Sequence, residues 1–449
     1  MSTIGPALRG DTVSASKPKV PIAPQGQPRL LSRYGFYLLH AGEALALVLF
    51  LSFCIMWVQW QMAAPRITKV SGDFVSFWTA GELVLEGHAA DAYREVPHFF
   101  KELDLHGDVE GWGYLAFFYP PFFLLLCAGL ALLNYLPALI LWLTATCAGY
   151  AAALRAMLPQ DLRQQGVRLW VLFLGYPAVL VNAGFGQNGF LSAGLLGGAA
   201  VWLERRPELA GLCLGCLAYK PQLGLIVPLA LAVAGRWRCF TVAALTVVGL
   251  VAVATIALGM DIWPAFFADM AEARRNWMEF PNPLYLQFWI TVFGMIRLHG
   301  GSLALAYGAQ AVVSITAALM LTSALLRRPP GSRSGVAEGA AIAACVPFCS
   351  PFMLEYDLVI LAVPMAWLLG EALRDGFRPY ERLALVGTFL APIAFKVTAF
   401  DGAMKVGVIA AAALLFVVVL RRMTAPALAP SYGPPASDIL AVGGANAGP

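Results

Sequence analysis

The sequence predicts an all-α polytopic membrane protein, and three observations carry that prediction. Of its 449 residues, 59% are hydrophobic and only 12% are charged, whereas a soluble chain is roughly 45–50% apolar and about 25% charged. Mean hydropathy is +0.71. Apolar runs follow one another from residue 118 to residue 420 with one polar interruption. So little charge leaves too little polar surface to cover a soluble protein of this size. That excludes a soluble enzyme, a disordered protein and a nucleic-acid binder. The net charge of +4 names no partner.

The elements follow in order. Residues 1–35 are rich in Pro, Ser, Gln and Gly and read as a disordered cytoplasmic tail rather than a signal peptide. The first span covers about 36–59, with Arg29 and Arg33 before it, so its N-terminal side is expected in the cytoplasm. Residues 60–117 form the longest polar segment, with nine acids against four bases and three of the five His. An acidic loop after such a span belongs outside, as a helical first extracytoplasmic loop. Apolar segments then run at about 118–133, 137–157, 168–184, 187–203, 208–219, 222–235 and 239–258. A second outer loop, 259–302, opens with a polar, aromatic stretch (259–283) that reads as an interfacial helix anchored by Trp263, Phe266, Phe267 and Trp277, with Arg274, Arg275 and Asn282 beside them. Further apolar segments lie at 285–298, 303–326, 336–349, 356–370, 383–398 and 405–420. Residues 423–449 are low-complexity and read as a second disordered cytoplasmic tail.

Several of these segments are shorter than the roughly 20 residues a span needs. They read as broken helices, so about 11–13 transmembrane or re-entrant helices make up a membrane domain over 36–422. Basic clusters at Arg205–Arg206, Arg236/Arg238, Arg327/Arg328/Arg333, Arg374/Arg378/Arg382 and Arg421–Arg422 mark the cytoplasmic side. The scheme fails over 118–203, where four crossings would leave Arg205 outside. One segment there is re-entrant, or two form one helix.

Polar groups that an apolar chain could have avoided mark the candidate site. Asp73, in Ser71-Gly72-Asp73-Phe74-Val75-Ser76-Phe77, begins an amphipathic segment, with Ser76 and Phe77 on its helical face. A carboxylate there suits a general base for a hydroxyl; an exposed acid or a helix N-cap is the alternative. Gly87 and Asp91-Ala92-Tyr93 follow. Tyr119, in Phe118-Tyr119-Pro120-Pro121, either places a hydroxyl at a cavity mouth or only marks a helix start. Gln187 and Asn188, in Gly184-Phe185-Gly186-Gln187-Asn188-Gly189, offer amides in a turn that lets a backbone approach closely, or make a plain membrane turn.

Lys220, in Tyr219-Lys220-Pro221-Gln222, is an ammonium within an apolar stretch and needs a counter-anion. A phosphate suits it, and a structural salt bridge to a loop acid is the alternative. Ser350-Pro351-Phe352-Met353-Leu354-Glu355-Tyr356-Asp357 interrupts another apolar hairpin on the same outer side. The eight Cys all lie in apolar stretches. Cys213-x-x-Cys216 has no second pair and reads as buried small residues.

The order of these motifs resembles glycosyltransferase family 87, over roughly residues 35–420. This bacterial family includes polyprenol-phosphate-mannose-dependent mannosyltransferases. The resemblance implies a GT-C fold whose first outer loop carries the catalytic carboxylate, here Asp73. It implies inversion at the anomeric carbon, a polyprenyl-phosphate sugar donor, and a lipid or glycan acceptor at the outer face of the plasma membrane. Lys220 then binds the donor phosphate. Tyr119, Gln187, Asn188, Gln222, Tyr93, Tyr356 and Asp357 fall at substrate-binding positions. Mycobacterial members have a His just after the Ser-Pro motif, where this chain has Glu355, Tyr356 and Asp357. No cofactor or metal is expected: phosphate is a good leaving group and the outer loop has no DxD motif. A lipid transporter or flippase is the competing reading; it predicts inverted repeats and a midplane site, and the sequence shows no repeat.

Overall fold

Proline and glycine cut the apolar chain into helices of two lengths. The computed structural model describes residues 33–63, 72–106, 114–164, 168–280, 286, 288–328, 334–397 and 402–425. Its helices of nine residues or more are α1 (Arg33–Ala63), α2 (Phe74–Leu85), α3 (Glu95–His106), α4 (Pro121–Ala131), α5 (Tyr135–Met157), α6 (Pro177–Phe185), α7 (Gly189–Trp202), α8 (Pro207–Cys216), α9 (Trp237–Leu258), α10 (Ile262–Ala273), α11 (Leu303–Leu326), α12 (Gly335–Cys345), α13 (Ala362–Asp375), α14 (Glu381–Val397) and α15 (Gly402–Thr424). No strand forms among the described residues; Trp289 and Leu354 pair as an isolated antiparallel bridge. The expected tails 1–35 and 423–449 lie almost wholly outside the described residues.

Six stretches are long and apolar enough to cross a membrane: Leu39–Met56, Tyr135–Met157, Trp237–Leu258, Leu303–Leu326, Glu355–Asp375 and Lys405–Thr424. The protein is therefore an all-α, multi-pass membrane protein. The shorter apolar helices start where sequence dictates: Pro121, Pro177 and Pro207 each open one, because proline lacks only an N–H that the first turn leaves unpaired. Burial orders the bundle. The Glu355–Asp375 stretch is 83% buried and forms its centre, whereas Trp237–Leu258 is 6% buried and faces outward over most of its length, as an all-apolar helix in lipid does.

Both ends of α4 lie against α2: Phe123 packs edge-on to Phe77, and just past the helix Leu133 O accepts the Trp78 indole N–H at 3.0 Å. α5 then starts beside α2, with Tyr135 against Phe74. Between Phe123 and Leu133, α4 packs along α2, with Cys127 O directly against Gly81. The acids and bases of the connections at Glu204, Arg236/Arg238 and Arg328 meet at one end of the bundle. Glu338 binds Arg236 and Arg328, Glu208 binds Arg238, and Glu204 accepts the Gly335 N–H. The chain breaks at Gln187, Lys220 and Glu355 gather away from it, beside Asp73.

Candidate active site

The site is built on four chain breaks. The first is the start of α2. Asp73 occupies the N-cap position, yet its side chain makes no capping hydrogen bond. Its Oδ2 instead accepts the Gln187 Nε2–H at 2.5 Å. The N-cap reading of Asp73 thus gives way to a bond across 114 residues of sequence.

The second break is the turn between α6 and α7. Gly186 ends α6 with φ +65°, the left-handed conformation that glycine adopts without strain. Gly189 permits a close approach: a Cβ there would lie 2.6 Å from Asn182 Oδ1 and 2.7 Å from Tyr356 O. The turn aims Gln187 at Asp73, and the Gln187 amide is oriented in its turn. Its Oε1 accepts the Asn188 backbone N–H at 3.1 Å and the Tyr119 hydroxyl at 3.5 Å, so its NH₂ faces Asp73. Asn188 Nδ2 donates to Tyr119 Oη at 2.8 Å. Tyr219 donates to Asn188 O at 3.1 Å and lies 2.6 Å from Ser192 Oγ.

The third break is at Lys220, between a short 3₁₀ turn and the Pro221 helix start. Lys220 is 3% exposed. Its Nζ donates to Asp357 Oδ1 at 2.6 Å and lies 4.8 Å from the centre of the Tyr356 ring. Of the two anions the sequence left open, the acid is present: Asp357, on the fourth break (350–357), pairs with the ammonium. Asp357 Oδ2 also accepts the Leu354 N–H at 3.3 Å.

These breaks enclose a cavity of about 280 Å³, near the lower end of the roughly 300–1,000 Å³ of small-molecule sites. Asp73, Tyr119, Gln187, Lys220, Gln222 and Tyr356 all line it. Asn188, Asp357 and Tyr93 do not; they stand behind the wall. Tyr93 is buried and donates its hydroxyl to Tyr119 O at 2.8 Å. Glu355, one of the three residues where the chain departs from the resemblance, also lines the cavity.

Sequence reading missed much of the wall. Tyr114, Phe288 and Trp289 line the cavity too, but nothing in their local sequence marks them. An aromatic residue in an apolar chain is the commonest kind of core residue. In 259–283, Met260, Phe267 and Phe280 are strongly exposed, at 69%, 62% and 80%, whereas two of the expected anchors face inward. Phe266 packs on Tyr93, and the wider π-turn Arg274–Glu279 brings Trp277 edge-on to Phe118 in the cavity wall. Asn282 lies outside the described residues.

The electrostatics of Asp73 reflect its surroundings. Burial pushes its carboxyl above the ordinary range, and the Glu355 and Asp357 charges push the same way; the Gln187 hydrogen bond and the Lys220 charge pull it down. Among the described residues, no three His, Cys, Asp or Glu side chains gather as a metal site.

A carboxylate, an ammonium, amides and an aromatic lining in one cavity of a multi-pass membrane protein make an enzyme-like site for an amphipathic substrate. The family model described as Glycosyltransferase family 87 matches residues 117–351, a little over half of the chain. The chain belongs to glycosyltransferase family 87 and is a glycosyltransferase, with a sugar donor and an acceptor as substrates. No curated protein and no solved structure matches it.

Proposed function

We propose that the protein is an inverting glycosyltransferase that moves a sugar from a polyprenyl-phosphate donor to a lipid or glycan acceptor at the outer face of the plasma membrane. Mannose is the sugar the family resemblance favours. The observation that carries the reading is the joint lining of one cavity by Asp73 and Lys220. A base for the acceptor and a cation for the donor then face the same space.

The proposed reaction runs in one displacement. The acceptor hydroxyl attacks the anomeric carbon while Asp73 takes its proton on Oδ1, since Gln187 engages Oδ2. The bond from that carbon to the phosphate oxygen breaks, and the polyprenyl phosphate leaves with the electron pair. Lys220 keeps N–H donors beyond the one given to Asp357, and these offset the charge growing on the leaving phosphate. Tyr119, Asn188 and Tyr93 hold Gln187 and the wall in register, while Gln222 and Tyr356 contact the sugar or phosphate. The aromatic lining suits sugar faces and the first prenyl units.

The test is transfer from polyprenyl-phosphate sugars by purified protein in lipid. Asp73→Asn keeps the shape and removes the base, so kcat should drop by about 10²–10⁴-fold. Undiminished transfer by that variant would remove Asp73 from the mechanism. Movement of labelled lipid across vesicles with no glycosidic product would favour the flippase.

A further inference from the structure

Behind the cavity wall lies a buried polar cluster that the reaction above does not use. Helix α3 places His98 and Glu102 four residues apart on one face, and both are fully buried. His98 Nε2 lies 2.9 Å from Thr79 Oγ1 on α2, and its Nδ1 lies 3.4 Å from the Tyr114 hydroxyl. Thr79 already donates to Val75 O at 2.7 Å. Its oxygen therefore accepts from Nε2–H, and Nδ1 is left to accept from Tyr114; the tautomer follows from the network. Glu102 Oε2 accepts the Leu115 N–H at 3.1 Å. Tyr114 and Leu115 line the cavity together with Asp73 and Ser76.

We propose that Glu102, with His98, is a positioning residue of the transferase site, tying the cavity wall at Tyr114 and Leu115 to the helix that starts at Asp73. This rests on the reading of Asp73 as the acceptor's base. A strap from α3 to both partners fixes the distance between the base and the wall that faces it. The pair does so without charge. Burial pushes the Glu102 carboxyl up to about 8, against the Leu115 hydrogen bond, and the Asp73 charge pushes it further up. Burial pulls the His98 imidazole down to about 4.

The charged and titratable neighbours agree. His98 lies 3.9 Å from Glu102 Oε1 on the same helix, Asp73 and Tyr114 face Glu102 from α2 and the wall, and Asp269 of α10 acts on Tyr114 from beyond. Lys101 turns away to Glu82 and Glu86. Among the described residues, no cation compensates an ionised Glu102. Its ionisation would strengthen the Leu115 bond but place a second, poorly solvated negative charge near Asp73, a net cost to the folded wall.

The sign of the pH dependence follows. A free glutamate ionises near 4.5 and folded Glu102 near 8, so between these values the folded protein holds the extra proton. Its contribution to stability is complete below about 4.5 and declines until about 8.

The experiment compares wild type, Glu102→Gln and Glu102→Ala by transfer kinetics against pH and by amide exchange over residues 114–119. Glu102→Ala should lower kcat by about 10–100-fold, the cost of a small misplacement, and raise exchange in that segment by about tenfold or more. Glu102→Gln mimics the uncharged acid. It should restore most of both readouts and move the alkaline fall in kcat, expected near pH 8 in the wild type, upward by about one pH unit or more. If Glu102→Ala does not fold, Glu102→Gln alone decides through that shift and through weaker pH dependence of exchange. An unmoved alkaline limb with unchanged exchange would overturn the proposal. So would wild-type protection of 114–119 in Glu102→Ala. If no polyprenyl-phosphate sugar is transferred at all, the functional reading fails, while the exchange data still judge the strap.

Discussion

Lys220 and Asp357 show how one buried pair ties folding to chemistry. The two side chains are 4% and 3% exposed and 2.6 Å apart. Removing one partner of such a pair leaves a bare charge in a poorly solvated place, typically at a cost of about 3–5 kcal/mol. Lys220→Met should therefore unfold at markedly lower temperature in detergent, and Asp357→Leu likewise. The double variant Lys220→Met/Asp357→Leu should recover much of the lost stability, because two apolar side chains replace two charges. It should not recover transfer if Lys220 meets the donor phosphate. Thermal unfolding and transfer rates measured together on the three variants separate the two roles; a double variant with normal turnover would confine Lys220 to structure. The ammonium itself was legible in the sequence, since a Lys within an apolar run needs an anion. Its partner was not, because it stands 137 residues further along and only the packed helices bring the two together.

At the scale of the element, the turn between α6 and α7 is the most constrained piece of the site. Gly-Gln-Asn-Gly reads in the sequence as a turn that allows close backbone approach, and the structure gives that a purpose: Gly189 admits the Tyr356 carbonyl while Gln187 reaches Asp73. Gly189→Ala should cost about 1–3 kcal/mol, the usual effect of forcing a methyl into a packed interior, since backbone as well as side chain blocks the added carbon. The displaced turn should also reduce transfer, which a matched pair of melting and activity measurements would reveal; an alanine variant with wild-type melting would refute the tight fit. Proline-marked helix starts and polar chain breaks were legible because each has a local physical signature. The wall formed by Tyr114, Phe288 and Trp289 was not, because lining and core aromatics look alike in a chain where both are surrounded by apolar residues. Tyr93 was legible as important, but its contact is with the Tyr119 carbonyl rather than the cavity, a distinction that needs three dimensions.

For the whole molecule, the few charges and the path of α4 together predict a topology. The basic clusters alone required an odd number of crossings between residue 118 and Arg205, and four apolar runs could not supply it. In the structure α4 packs along α2, through Phe123 on Phe77, Cys127 O against Gly81 and Leu133 O on Trp78, and an α4 that makes no crossing would remove the conflict. This makes a prediction independent of any substrate. Asn134, just after α4, should lie on the same side of the membrane as Glu86, and Arg205 on the opposite side. All three positions are exposed, while every native cysteine among the described residues is buried or half-buried. A membrane-impermeant maleimide applied to sealed vesicles of one orientation should then label Asn134→Cys and Glu86→Cys together, and label Arg205→Cys only after the vesicles are opened or inverted. Were α4 a crossing, Asn134→Cys would pair with Arg205→Cys instead. The same outcome would detach α4 from the acid-bearing helix and break the wall that joins Tyr119 to Asp73, so the labelling pattern tests the architecture of the site as well as the count of its spans.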